Sequence, residues 1–168
     1  MAEEIINKVA ASGLVTLDFE EMIRDEEWMV IDIASQLEHG LVLREKQFRD
    51  WLTNNNWEHC RNQLVGVYCS ADAIVPKWAF MLVAAALKDI ALSVFHTSTA
   101  DAFESALLKK IEWMDARDYI DKRVIVKGCG NKNLSEAPYL AISQKLIPVV
   151  KSLMFGEPCS TVPVYKKN

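Results

Sequence analysis

The chain has 168 residues, of which 51% are hydrophobic and 25% charged, and its formal net charge is −4 at pH 7. This size and composition predict one compact domain over residues 1–168. The acidic balance argues against general nucleic-acid binding, which needs a basic face. No apolar run reaches the roughly 20 residues of a membrane span, and the acidic start Met1–Glu4 does not fit a signal peptide.

The first sixty residues predict two strands and a helix. Residues Leu14–Phe19 and Trp28–Ala34 are strand-like, and the acidic stretch between them permits a hairpin with a long loop. Residues Leu43–Leu52 then carry apolar side chains at helical spacing. We therefore expect an N-terminal strand pair followed by a helix.

From residue 64 onward, strands and helices alternate along the chain. The predicted strands are Leu64–Tyr68, Leu92–His96, Arg123–Lys127 and Val162–Tyr165, and the predicted helices are 76–90, 97–114 and 135–156. Pro148 should kink the last helix, and Gly156 should end it. Because the strands are continuously apolar, we expect a mostly parallel sheet that is buried on both faces. The predicted fold class is α/β, with three α/β/α layers and the N-terminal strand pair at the edge of the sheet.

Three of the four cysteines occur where predicted elements end. Cys69 follows the first parallel strand, Cys129 lies between two glycines after the third strand, and Cys159 lies between two prolines after the last helix. Ligands of open parallel sheets bind beyond the carboxyl ends of the strands. We therefore expect these three cysteines to share one crevice. Cys60 lies in a different loop and has no such position.

Zinc is the metal that best fits this set of residues. It accepts cysteine, histidine and carboxylate ligands in tetrahedral sets. Three thiolates together with His96 or Asp72 would complete such a set, since His96 ends the middle strand and Asp72 follows Cys69 closely. The chain contains no Cys-x-x-Cys pair, so the spacing lacks the usual zinc signature. The same cysteine count would also permit iron–sulfur ligation, although the chain has no characteristic run for it.

Two other functions remain open at this point. In a thiol-dependent enzyme, Cys69 would be the nucleophile, His96 the base, and a helix N-terminus after Cys69 would favour the thiolate. Lys127, beside Cys129, could stabilise a thiolate or an anion. In a non-catalytic interaction protein, the cysteines would be structural. No phosphate-binding glycine motif is present, and the sequence leaves small-molecule or protein partners and a homo-oligomer equally open.

Several segments resemble an uncharacterised bacterial family, domain-of-unknown-function family 2480. The matching segments are Cys69–Pro76 followed by Trp78, Lys127–Cys129, Gly156–Pro163, Ile5–Ala10 and Gly40–Glu45. The resemblance covers essentially the whole chain and implies a small cytoplasmic bacterial protein. Since the family has no assigned activity, it implies no catalytic residue.

Overall fold

The computed structural model describes residues 13–128, 130, 132–157 and 159–167 and has an α/β fold. The helices of this described part are α1 (Phe19–Met22), α2 (Glu45–Asn54), α3 (Lys77–Leu87), α4 (Ala102–Trp113) and α5 (Ala137–Leu146). Its strands are β1 (Leu14–Leu17), β2 (Trp28–Asp32), β3 (Leu37–Glu38), β4 (Val42–Leu43), β5 (Leu64–Tyr68), β6 (Ser93–His96), β7 (Arg123–Val126), β8 (Ser152–Glu157) and β9 (Ser160–Lys166). None of the described helices is both long and apolar enough to cross a lipid bilayer.

The chain divides into two compact units. The first unit combines the residues up to Met22 with those from Lys110 onward. Its sheet has the order β1-β7-β8-β9, in which the first three strands are parallel and β9 is antiparallel to β8. Buried apolar side chains of β1, β7, α5 and β8 form its interior (Leu17, Val124, Ile125, Val126, Ile142, Leu146 and Leu153).

The second unit comprises residues Ile23–Lys109. Its sheet has the order β2-β5-β6 and is entirely parallel, and β3 and β4 form a separate two-stranded antiparallel ribbon. Val65 and Val67 of β5 pack with residues of α2 and α3 in one apolar cluster. Leu64 and Gly66, on the opposite face of the same strand, are also buried. The prediction of parallel strands buried on both faces is therefore confirmed for β5.

The two N-terminal strands form, but the hairpin between them does not. β1 pairs in parallel with β7, and β2 pairs in parallel with β5. Each strand thus joins the edge of a different sheet, alongside a strand from much later in the chain. The spacing between β1 and β2 permits a hairpin, but each strand pairs instead with a strand that is distant in sequence.

The predicted last helix ends earlier than expected and is followed by a strand. α5 begins beside Ser135, whose Oγ accepts a hydrogen bond of 3.2 Å from the N–H of Ala137. It ends at Leu146, shortly before Pro148, instead of continuing through a kink. Ile147 still has helical backbone angles, and its N–H donates to the Ser143 carbonyl. Pro148 has no N–H with which to continue the helical hydrogen bonds, which explains the early end. The strand β8 (Ser152–Glu157) therefore begins within the segment predicted as helix, which was expected to end at Gly156.

Candidate functional site

The candidate site lies at the carboxyl edge of the four-stranded sheet in the first unit. β1, β7 and β8 are parallel, and their registers pair Leu17 with Val126 and Val126 with Phe155. The carboxyl ends of these three strands therefore share one edge, where open parallel sheets bind ligands. The residues that directly follow the strands determine the chemistry of this edge.

An ion pair joins the ends of β1 and β7. Asp18 directly follows β1 and Lys127 directly follows β7; the Lys127 ammonium donates a hydrogen bond of 2.7 Å to Asp18 Oδ2. The other carboxylate oxygen, Oδ1, accepts a hydrogen bond of 2.9 Å from the N–H of Glu20. The Asp18 side chain is 15% exposed and that of Lys127 is 30% exposed, so water only partly screens the pair.

The surroundings of this pair favour the charged form of both groups. Burial raises the pKa of Asp18, but Lys127 and two backbone N–H groups of α1 outweigh it and hold this pKa below the ordinary value of 3.8. The hydrogen bond and the charge of Asp18 raise the pKa of Lys127, and the negative charges of Glu157 and Glu21 add to that effect. Lys127 is therefore a cation whose charge nearby carboxylates already balance.

A polar cavity of about 430 Å³ opens around the ion pair. Its walls come from the start of α1, the loop after β7 and α5 (Asp18, Phe19, Glu20, Lys127, Gly128, Gly130, Lys132, Asn133, Leu134 and Tyr139). Glu20 approaches the loop closely because Gly130 has no side chain, and a Cβ there would lie 2.7 Å from Glu20 Oε1. The same oxygen accepts a hydrogen bond of 2.7 Å from the N–H of Lys132. Glu20 thereby ties the loop after β7 to α1.

A larger, mainly apolar cavity of about 530 Å³ adjoins the polar one. Its walls come from α5, the segment before it and strands β7 to β9 (Val126, Gly128, Leu134, Ser135, Glu136, Tyr139, Leu140, Ile142, Ser143, Leu153, Met154, Phe155 and Val164). Gly128, Leu134 and Tyr139 line both cavities, which are therefore neighbours. We call the two cavities together the carboxyl-edge groove.

Aromatic side chains form the wall where the two cavities meet. The ring of Tyr139 lies 5.6 Å from that of Phe155 in an edge-to-face arrangement, and 5.0 Å from that of Phe19. Gly128 leaves the space that the Phe155 ring occupies, since a Cβ there would lie 2.8 Å from Cε2 and 2.9 Å from Cε1. The junction thus depends on a residue without a side chain.

A β-bulge in β9 supplies one more wall residue. Tyr165 pairs with Leu153 and Pro163 pairs with Met154, so Val164 is an extra residue without a partner across the ladder. Bulges reorient side chains relative to a regular strand. Val164 lines the apolar cavity, and 52% of its surface is exposed.

The structure locates only part of the predicted cysteine site in this region. Cys129 lies outside the described residues, although its neighbours Gly128 and Gly130 both line the polar cavity. Cys159 is exposed in the connection between β8 and β9, at the carboxyl end of β8. Because β7 and β8 are adjacent and parallel, both cysteines follow strands that end at the same edge.

Cys69 belongs to a different sheet. Cys69 follows β5 in the second unit, whereas β7, the strand before Cys129, belongs to the first unit. The prediction that both cysteines follow strands of one sheet is therefore wrong. The expected helix N-terminus directly after Cys69 is also absent from the described chain, because α3 begins only at Lys77. The half-buried thiol of Cys69 instead donates a weak hydrogen bond of 3.8 Å to the carbonyl of Ala71.

The remaining predicted ligands do not assemble in the described part of the protein. No three histidine, cysteine or carboxylate side chains among the described residues, Cys69, Asp72, His96 and Cys159 included, are grouped so that they could hold a metal ion. The ring of His96 is 5.4 Å from that of Phe80 in an edge-to-face contact.

Asp32 organises the loop after Cys69, a role that the sequence did not reveal. Its Oδ2 accepts a hydrogen bond of 2.5 Å from the hydroxyl of Ser70. Its Oδ1 accepts hydrogen bonds from the N–H of Ser70 at 3.1 Å and from that of Ala34 at 2.9 Å. Burial raises the pKa of Asp32, but these three hydrogen bonds outweigh it and lower the pKa below its ordinary value.

Sequence reasoning also missed the carboxyl-edge groove, although one signal was present. Asp18 directly follows β1, and Lys127 directly follows β7. Opposite charges at the ends of two strands indicate an ion pair at one sheet edge, but only if the two strands are known to be neighbours. That pairing was the missing information.

Comparison with known proteins defines a family without an assigned activity. The chain has no match among curated proteins and none among solved structures. One family model, described as "Protein of unknown function (DUF2480)", matches residues 3–167. The match spans nearly the whole chain and agrees with the resemblance seen in the sequence, and the protein therefore belongs to the DUF2480 family.

Proposed function

We propose that this protein binds a small amphipathic molecule in the carboxyl-edge groove. One observation carries the proposal: an apolar cavity of about 530 Å³ adjoins a polar cavity of about 430 Å³ and shares Gly128, Leu134 and Tyr139 with it. A ligand with an apolar body and a polar end would match both parts. Small-molecule sites are typically concave and mostly apolar, with a few polar groups that fix orientation, and occupy about 300–1,000 Å³.

Binding of an uncharged, environment-sensitive dye such as Nile red tests this proposal. The dye should fluoresce more strongly when it enters the apolar part of the groove. Val164→Ser removes apolar surface from the wall and should weaken dye binding several-fold, by up to about tenfold if the whole side chain contacts the dye. Val162→Ser is the matched control, because Val162 is on the same strand, is 62% exposed and does not line the cavity.

The two variants separate groove binding from general surface adsorption. A loss of affinity in Val164→Ser with parent-like binding in Val162→Ser supports the groove as the site. Equal affinities of both variants and the parent, or no binding of the dye to the parent, would contradict the proposal. Circular dichroism melting curves should confirm that both variants are folded at the temperature of the assay.

Zinc binding is the second candidate, and we propose it for Cys129 and Cys159 only. It is favoured by the adjacency of β7 and β8, whose carboxyl ends precede these cysteines. Glu157, at the end of β8, is a carboxylate that could add a ligand. Zinc accepts such mixed sulfur and oxygen sets.

Elemental analysis of protein expressed with added zinc and purified without chelators tests this second candidate. The parent should carry zinc in stoichiometric amount, and Cys159→Ser should lose most of it, because a hydroxyl is a poor substitute for a thiolate. Cys60→Ala is the control, since Cys60 is fully buried in the second unit and should not affect the metal content. A metal-free parent, or the same content in Cys159→Ser, would exclude zinc as the ligand.

A further inference from the structure

We infer that the ligand of the carboxyl-edge groove is a small cationic amphiphile, with a protonated amine on an apolar chain or ring. This inference rests on the proposed function and specifies the charge of the ligand's polar end. Four features of the groove carry it: the engagement of described hydrogen-bond donors, the start of α5, the balance of charges and the aromatic wall.

Three donors among the described residues at this edge make hydrogen bonds to protein acceptors, two of which are carboxylates. The Lys127 ammonium donates to Asp18 at 2.7 Å, and the N–H of Lys132 donates to Glu20 at 2.7 Å. The N–H of Lys127 donates to the Leu17 carbonyl at 2.9 Å. An anion is held by donors directed at it, and here it would have to share the Lys127 ammonium with a carboxylate that already neutralises its charge.

The N-terminus of α5 borders the groove but offers little to an anion. The N–H of Ala137 is capped by Ser135 Oγ at 3.2 Å, and Pro138, in the first turn, has no N–H. Glu136, which directly precedes the helix and lines the apolar cavity, adds a negative charge at the same end. A helix N-terminus usually favours anions, but this one has lost two of its donors and gained a carboxylate.

Carboxylates outnumber ammonium groups around the described part of the groove. Three carboxylates line it (Asp18, Glu20 and Glu136) against two ammonium groups (Lys127 and Lys132). The negative charges of Glu21 and Glu157 also act on Lys127. Each carboxylate has about four acceptor positions, so a carboxylate that holds one or two protein donors can still accept from a bound ammonium group. The surplus of acceptors and of negative charge selects a cationic polar group.

The aromatic junction is compatible with the same charge. Tyr139 and Phe155 separate the polar from the apolar part, 5.6 Å apart between ring centres. Aromatic faces attract cations through their quadrupole. An ammonium group that crosses this junction toward Asp18 and Glu20 would meet aromatic surface and then carboxylates, while its apolar chain remains between α5 and the strands.

Competition between three eight-carbon ligands tests the inference. Octylamine, octanol and octanoate, each below its aggregation concentration and at one ionic strength, would displace Nile red from the parent at pH 7. We expect octylamine to displace the dye at a concentration about tenfold lower than octanoate, the effect of one charge-assisted hydrogen bond. Octanol should fall between them.

The outcomes distinguish the inference from the proposed function. If octanoate competes as well as or better than octylamine, the inference that the ligand is cationic is wrong, but the groove remains a binding site. If neither dye nor ligand binds, the proposed function fails and the inference fails with it.

Two charge-neutralising variants locate the effect. Glu20→Gln should reduce the preference for octylamine over octanoate by about threefold or more, whereas Glu26→Gln, an exposed site in the second unit, should leave it unchanged. If both variants prefer octylamine over octanoate to the same extent, the preference reflects the net charge of −4 of the whole protein. That result would overturn the assignment of the cation preference to the groove.

Discussion

The ring of Phe155 lies against the backbone of Gly128, at the junction of the polar and apolar cavities. A Cβ at position 128 would lie less than 3.0 Å from three atoms of that ring. The ring also has Tyr139 beside it, with 5.6 Å between the ring centres, so movement in that direction is restricted. The shape of the groove therefore depends on the absence of a side chain at one position.

Gly128→Ala should consequently destabilise the first unit and alter the groove. The added methyl group forces the Phe155 ring or the strand ends to move. Overpacking in a core costs about 1–3 kcal/mol, and the cost here should be near the lower end because the ring is 39% exposed. Urea unfolding of parent and variant can be followed by intrinsic fluorescence. We expect the variant to unfold at a lower urea concentration than the parent and to bind Nile red more weakly.

Gly130→Ala is the matched control for that substitution. Its Cβ would meet Glu20 Oε1 at 2.7 Å, which is the far end of a flexible side chain that can rotate away. Its unfolding midpoint should remain close to that of the parent. Equal destabilisation by both alanines would show that loop conformation, rather than contact with Phe155, controls stability.

The Asp18–Lys127 pair should make stability depend on pH in the acidic range. Since the folded pKa of Asp18 is below its ordinary value of 3.8, the folded state binds the proton less readily than the unfolded chain does. Its contribution is present in full well above pH 3.8 and is lost as the pH falls through the lower, folded pKa. Asp18→Asn should therefore show a shallower loss of melting temperature between about pH 5 and pH 2 than the parent.

Asp50→Asn, on the exposed surface of α2, serves as the comparison for this effect. At neutral pH, Asp18→Asn should melt a few degrees below the parent because its ion pair with Lys127 is lost. Parallel pH profiles of parent and Asp18→Asn would contradict the role assigned to the pair.

Local sequence patterns predicted most elements of this fold but not their partners. The run Leu64–Tyr68 is bounded by polar residues and forms β5 with the predicted limits. The segment Leu43–Leu52 overlaps α2, because its apolar residues have helical spacing. The choice between one sheet and two depends on contacts between distant segments, such as β1 with β7, about which local periodicity carries no information.

The segment between Leu146 and Phe155 shows where the pattern was ambiguous. It consists of two short apolar runs separated by Lys151 and Ser152, and periodicity alone cannot distinguish helix from strand in runs this short. Pro148 indicated a break, which was interpreted as a kink within one helix rather than as its end. With the helix extended to Gly156, β8 was lost, and with it the apolar wall of the groove.

Chemical labelling should rank the three described cysteines by exposure. Cys159 is exposed, Cys69 is half-buried and Cys60 is completely buried. Burial also raises the pKa of Cys60, which reduces its thiolate fraction further. Iodoacetamide labelling of metal-free native protein, followed by peptide mass spectrometry, should therefore modify Cys159 first, Cys69 next and Cys60 only after unfolding. Rapid labelling of Cys60 in native protein would contradict the packing of the second unit.

The carboxylate of Asp32 should control how readily Cys69 reacts. Asp32 holds Ser70, the residue next to Cys69, through a hydrogen bond of 2.5 Å to its hydroxyl and one of 3.1 Å to its N–H. Asp32→Ala removes both acceptors, so the loop after β5 should open more often and Cys69 should label several-fold faster than in the parent. Asp72→Ala, an exposed site in the same loop, is the control and should change the rate little. The labelling rate of Cys159, which belongs to the other unit, should be the same in all three proteins and reports any general unfolding. If Cys69 reacts at the parent rate in Asp32→Ala, these hydrogen bonds do not limit its exposure, and the mobility of the loop must be set by packing alone.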